Sequence, residues 1–161
     1  MTTWPEFHMS AARLIATKSK DPSTKVGAVI VRPDQTQASW GYNGFPRGVK
    51  DSPERYADRE MKLAMVVHAE VNSVINAREP LHGYKMFCTM HPCARCAAVI
   101  VQAGISCVAV PDDDIPERWK DEINIAKTIL REGGVNLVRE GKDRDGAAGR
   151  WQACTRGPLI G

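Results

Sequence analysis

Long apolar runs are missing from this chain. The longest, residues 63–67 and 96–101, fall far short of the roughly 20 residues a helix needs to cross a bilayer. Aromatic residues make up only 6%, few for a surface that stacks bases. Positive charge is thin as well. Of the net +3, the segment from Gly141 onward holds +2, with Lys142, Arg144, Arg150 and Arg156 against Asp143 and Asp145, so the body carries +1. That is no footprint for a nucleic-acid groove, although a handful of local cations suffices for a small anionic substrate. Cysteine is limited to five, an odd number with two of them in a C-x-x-C pair, which argues against a secreted disulfide scaffold. The first residues include Glu6 and no apolar run of signal-peptide length. The expectation is a soluble, cytoplasmic protein whose partners include neither a membrane nor a nucleic acid.

What remains is an ordinary globular composition, 43% apolar and 25% charged over 161 residues, enough for one domain with a proper core. A domain is expected over 1–140, followed by a basic, glycine-rich tail over 141–161. Phe7, Ala11, Leu14 and Ile15 recur at helical spacing and predict an amphipathic helix over 4–19 that packs on a sheet. Strands are expected over 26–31 and 37–42, close enough to form an antiparallel hairpin, with Gly27 where a neighbour crowds the backbone. A charged stretch over 51–62 is read as a cover for a site or an interface. Helices over 69–77, 93–102 and 117–132 then alternate with strands over 84–89, 106–110 and 135–138. The last helix presents Trp119, Ile123, Ala126, Ile129 and Leu130 on one side, and Gly133-Gly134 stops it. Strands alternating with helices predict an α/β fold with a five-stranded mixed sheet, an antiparallel first hairpin and parallel later strands.

The chemistry concentrates in His68-Ala69-Glu70 and Pro92-Cys93-Ala94-Arg95-Cys96. Two cysteines three apart at a helix start place both sulfurs on one face, and the helix N-terminus favours thiolates. With His68 they make three ligands suited to Zn²⁺, and three protein ligands leave the fourth tetrahedral position open, the mark of a catalytic zinc. H-x-E followed by P-C-x-x-C is the general pattern of zinc deaminases. Two thiolates neutralise much of the ion's charge, so a nearby carboxylate is useful to take a proton and hand it onward; Glu70, not itself a ligand, is that group. Residues two apart lie almost opposite each other on a regular helix, since each step turns about 100°. His68 and Glu70 can share a site only if His68 sits at or before the first turn, and it is expected there.

Blander readings apply elsewhere. A thioredoxin-like redox pair would leave His-Ala-Glu unexplained. A structural zinc would need a fourth ligand, for which His91, Cys88 and Cys107 are near in sequence; Cys88 and Cys107 read more simply as core residues and His91 as a loop residue. His8 and His82 read as surface or packing residues, and Cys154 has no assigned role. The loop 18–25 sets hydroxyls beside cations, which suits a phosphate dianion or simply a solvated turn. Asn43, before a glycine, is equally a turn residue.

The stretches 19–28, 41–46, 68–72 and 92–96 leading into 100–105 resemble the deoxycytidylate (dCMP) deaminases of the cytidine deaminase superfamily, with weaker similarity over 126–135. The zinc motif points to the superfamily, and Ser19-Lys20-Asp21-Pro22 with Gly41-Tyr42-Asn43-Gly44 point to the dCMP branch. The resemblance implies a three-layer α/β/α sandwich and hydrolytic deamination of dCMP to dUMP, supplying thymidylate synthesis. It implies one Zn²⁺ per subunit on His68, Cys93 and Cys96, with Glu70 catalytic. A second, structural zinc is not expected, because 9–67 contains neither Cys nor His. It further implies that Asn43 holds the sugar hydroxyl, the backbone around Ala69 holds the base, and Ser19, Lys20 and Thr24 face the 5′-phosphate. Family members are commonly homo-oligomers, and many bind dCTP as activator and dTTP as inhibitor, with Mg²⁺; here Asn43 and Gly44 are the corresponding effector residues. The segment 63–67 departs from relatives that carry aromatics there. Competing readings are another cytosine, nucleoside or tRNA-adenosine deaminase, and a non-catalytic zinc-stabilised module.

Overall fold

In the computed structural model, residues 1–140 are described; the expected tail over 141–161 lies outside them. Helix α1 (Trp4–Ala16) opens on a capping box in which the Thr3 N–H donates to Glu6 Oε2 and the Glu6 N–H donates to Thr3 Oγ1. It ends at Ala16, three residues short of Ser19, and is capped by Thr17, whose hydroxyl donates to the Leu14 carbonyl.

The buried face of α1 differs in part from the expected one: Ala11 and Ile15 pack against the core as expected, Phe7 and Leu14 do not. His8, Met9, Ala12 and Ala16 face the sheet, whereas Phe7 and Leu14 are 49% and 71% exposed. The reason lies across the interface. β1 (Gly27–Val31) brings its first residue so close that a Cβ on Gly27 would stand 2.1 Å from the Ala12 carbonyl oxygen and 2.6 Å from the Ala16 nitrogen. Only small helix residues fit there, so Ala12 and Ala16 turn inward and Phe7 and Leu14 turn out. Gly27→Ala is therefore expected to lower stability by about 2 kcal/mol or more. Chemical denaturation checks it: an unshifted midpoint would mean that α1 is not seated on β1.

β1 pairs antiparallel with β2 (Gln37–Tyr42) and, on its other side, antiparallel with β3 (Lys85–Cys88). β3 pairs parallel with β4 (Cys107–Pro111), and β4 parallel with β5 (Asn136–Glu140), giving the order β2-β1-β3-β4-β5. The expected mixed sheet and first hairpin are present. Between β2 and β3 lie α2 (Pro53–Ala57), α3 (Arg59–Met65) and α4 (Ala69–Asn76). α5 (Ala94–Gln102) links β3 to β4, and a 3₁₀ turn (Glu117–Trp119) with α6 (Lys120–Glu132) links β4 to β5. The sheet is sandwiched. Ala28, Ile30, Met86, Cys88, Val108 and Val110 pack with Ala97, Ile100, Ala126 and Leu130 in one layer. The alternate residues Val29, Val31, Phe87 and Ala109 pack with Met9 and Ala12 in the other. This is the period-two alternation of a sheet buried on both faces. None of the described helices is long and apolar enough to cross a membrane.

Candidate metal centre and active site

α4 is fastened to β2 along its length. Gly41 admits the helix backbone so closely that a Cβ there would meet the Ser73 nitrogen at 2.4 Å. Asn72 Nδ2 donates to the Tyr42 carbonyl, and Ser39 Oγ donates to the Ser73 carbonyl. Just before the helix, Gly44 and Val67 exchange backbone hydrogen bonds of 3.1 and 2.8 Å. The chain is thereby pinned on both sides of His68, which is the N-cap residue in extended conformation and makes no side-chain cap. Because His68 precedes the helix, its ring and the second helical residue, Glu70, need not point apart.

α5 starts in the same region. Cys93 is its N-cap, and Cys93 Sγ accepts the Cys96 N–H at 3.5 Å. His68 Nδ1 lies 3.6 Å from Cys93 Sγ and 3.3 Å from Cys96 Sγ, and the three donor atoms lie within 4.8 Å of one another. A tetrahedral zinc about 2.0–2.1 Å from nitrogen and 2.3 Å from sulfur spaces those two ligands about 3.5 Å apart. The donor set and its spacing fit. Among the described residues no other His, Cys, Asp or Glu joins the group, so His91, Cys88 and Cys107 supply no fourth ligand.

The electrostatics follow from burial and from the helix start. The thiol of Cys93 is pulled down to about 4, chiefly by the Cys96 side chain against the opposing effect of burial, with His68 also contributing. Cys96 moves up, because the Cys93 sulfur and burial both oppose a second charge. Contact with Cys93 raises His68. Glu70 is 4% exposed, and burial lifts its carboxyl to about 7, where it can both accept and release a proton near neutrality. Its carbonyl oxygen accepts the Ser73 hydroxyl.

This centre opens onto a cleft of about 730 Å³, a size suited to a small ligand. Val26, Leu63, Val66 and Met90 give it apolar walls, and His68, Ala69, Glu70 and Cys93 line it too. The charged stretch read as a cover becomes α2 and α3, which supply Tyr56, Arg59 and Lys62 to the lining. That wall is braced from below. Tyr56 stacks on Phe45 at 4.3 Å between centroids and donates to Asp51 Oδ1. Burial and that contact push the Tyr56 hydroxyl up to about 12. Lys62 Nζ donates to Asp21 Oδ1 and Ser23 Oγ, tying α3 to the loop before β1.

The other expected binding residues divide. Thr24, Asn43 and Ala69 line the cleft, whereas Ser19, Lys20 and Gly44 are not among its lining residues. Ser19 Oγ donates to the Asn43 carbonyl, and Lys20 pairs with Asp51 at 2.8 Å. Asn43 braces its own loop, accepting the Val26 N–H at 2.8 Å and donating to the Thr24 carbonyl at 2.9 Å, which leaves one amide hydrogen and one lone pair. Lining residues that the sequence reasoning did not single out are Arg59, Lys62, Arg95, Arg118 and Glu122. Arg95 lies inside the C-x-x-C pair and could have been flagged; Arg118 carries no such mark. His91 also lines the cleft, with both ring nitrogens buried and unpartnered; burial, then Arg139 and Lys127, lower it to about 4.

Residues 2–111 match the family model for the cytidine and deoxycytidylate deaminase zinc-binding region. A protein of Aliivibrio fischeri described as an uncharacterized deaminase in the luxG 3′ region is 37% identical over 140 residues, covering 86% of this chain and 94% of that one. The deoxycytidylate deaminase of Homo sapiens is 36% identical over 140 residues, covering 83% of this chain and 78% of that one. Among solved structures, the dCMP deaminase of cyanophage S-TIM5, in complex with dCMP and dUMP, superposes with a TM-score of 0.66 at 27% identity. That match covers 83% of this chain and 94% of that one.

Proposed function

As the chain belongs to the cytidine and deoxycytidylate deaminase family, we propose that it hydrolyses dCMP to dUMP and ammonia. The observation that carries this reading is a His-Cys-Cys donor set beside a buried carboxylate at the floor of a nucleotide-sized cleft. His68 and the two cysteine sulfurs would hold zinc, which when bound supplies a Lewis acid that makes water a stronger nucleophile at neutral pH. Glu70 takes the proton that this water gives up, delivers it to the ring nitrogen of the base, and then serves the departing ammonia. The balance is dCMP and water in, dUMP and ammonia out. The His68 side chain does not cap the first turn of α4, which leaves the Ala69 N–H to hold the base. The remaining amide hydrogen of Asn43 reaches for the sugar hydroxyl, and Thr24 lies beside it on the cleft wall. Ser19 and Lys20 act one step back, as braces for the Asn43 loop and for Asp51.

The same reading takes the enzyme as a cytoplasmic homo-oligomer that supplies thymidylate synthesis. dCTP with Mg²⁺ activates it and dTTP inhibits it near Asn43 and Gly44. A substrate panel tests the proposal. Rates on dCMP, CMP, deoxycytidine, dCTP and cytosine are followed by loss of amino-pyrimidine absorbance, with and without dCTP and Mg²⁺. dCMP is expected to be the best substrate; a preference for the unphosphorylated nucleoside would reject it, and rates indifferent to dCTP would reject the activation.

A further inference from the structure

Four cations line the cleft, and they are not equivalent. Lys62 is committed to Asp21, with Nζ and Oδ2 3.2 Å apart, and its side chain is only 14% exposed. Arg59, Arg95 and Arg118 have no carboxylate partner among the described residues, although each faces the same cleft as the metal centre. Neither of the carboxylates near Arg118 in sequence pairs with it. Its neighbour Glu117 pairs with Lys120, and Glu122, also on the cleft lining, makes no ion pair among the described residues. Arg118 instead lies over the ring of Trp119, its guanidinium carbon 4.8 Å from the ring centroid. That contact fixes the direction of the guanidinium while leaving its N–H groups free. Both residues belong to the short 3₁₀ turn between the irregular segment after β4 and the start of α6, held by the Trp119 N–H donating to the Pro116 carbonyl.

We infer that Arg118, oriented by Trp119, is a specificity-determining residue that takes the phosphate of the nucleotide at the cleft mouth. This rests on the nucleotide reading above and names the group that distinguishes a nucleotide from its nucleoside. The phosphate oxygens accept from Arg118, and the indole of Trp119 forms the adjoining wall of the cleft. The loop expected to meet the phosphate is less suited to it, because its acidic member, Asp21, is 3% exposed and ionically locked, Ser19 is buried, and Lys20 points to Asp51.

The test uses the full chain loaded with zinc. The selectivity for dCMP over deoxycytidine, as the ratio of kcat/KM values, is measured for wild type, Arg118→Gln and Arg118→Lys. Losing a charge-assisted contact should cut that ratio roughly ten- to hundredfold in Arg118→Gln, through KM rather than kcat, with partial recovery in Arg118→Lys. Tryptophan emission is recorded in parallel as dUMP or deoxyuridine is added. dUMP should change it strongly, deoxyuridine weakly, and Trp119→Phe should remove the change. A wild type that prefers dCMP, with an Arg118→Gln ratio unaltered, overturns this inference and leaves the nucleotide reading standing. A wild type indifferent to the phosphate overturns both. A full dUMP-dependent change in Trp119→Phe overturns the role of the indole.

Discussion

Glu70→Gln is expected to be folded, zinc-loaded and almost inactive, with kcat on dCMP down by about 10²–10⁴-fold. The substitution keeps the shape of a side chain that is 4% exposed and removes only its ability to carry a proton. No other carboxylate on the cleft can take over. Asp21 is tied to Lys62 and to the N–H groups of Ser23 and Thr24, and Glu122 is exposed on α6. The zinc content should not move, because the carboxylate stands outside the His-Cys-Cys group. Nor should the melting temperature fall, since an amide is easier to bury than a carboxylate whose burial already lifts it to about 7. Absorbance kinetics, metal analysis and circular dichroism check the three parts separately. Turnover within tenfold of wild type would remove Glu70 from the chemistry.

The metal centre was the most readable part of the sequence, because its geometry is local. A cysteine at an N-cap and another three residues on must share a face, and His68 can meet them with Glu70 beside it only from outside the helix, which is where it stands. Gly27 was readable for a related reason: a glycine inside an apolar strand implies close approach, and the Ala12 carbonyl makes that approach. What hid was everything set by distant partners. Phe7 and Leu14 have the right spacing for a core face, but spacing gives only a stripe, and the crowding at Gly27 turned Ala12 and Ala16 inward instead. Likewise, nothing near Ser19, Lys20 or Asn43 in the sequence reveals the Asn43 carbonyl, Asp51, Val26 and Thr24 partners that occupy them. The sequence pattern sets Trp119 on one side of a helix over 117–132. It falls in the 3₁₀ turn instead, so its ring reaches the cleft lining.

Replacing Cys93 by Ala should strip the protein of zinc and reduce turnover to background, whereas Cys88→Ala should keep both. The two residues lie five apart and both are free of disulfide bonding, yet their surroundings set them apart. Cys93 caps α5, where the Cys96 N–H points at its sulfur and the thiol is pulled down to about 4, so a ligand thiolate forms readily. Cys88 ends β3 with its side chain fully inside the apolar layer, and burial pushes its thiol well up; it behaves as a small core residue. Its removal leaves a small void, costing about 1–2 kcal/mol of stability without touching the metal. Wild type is expected to hold one zinc per chain, Cys88→Ala one, and Cys93→Ala less than about a tenth, since two protein ligands cannot hold the ion against a chelator. Titration with a chromophoric chelator reads all three. Two zincs in wild type, or one in Cys93→Ala, would move the metal away from His68, Cys93 and Cys96, and the open position on which the deaminase chemistry depends would go with it.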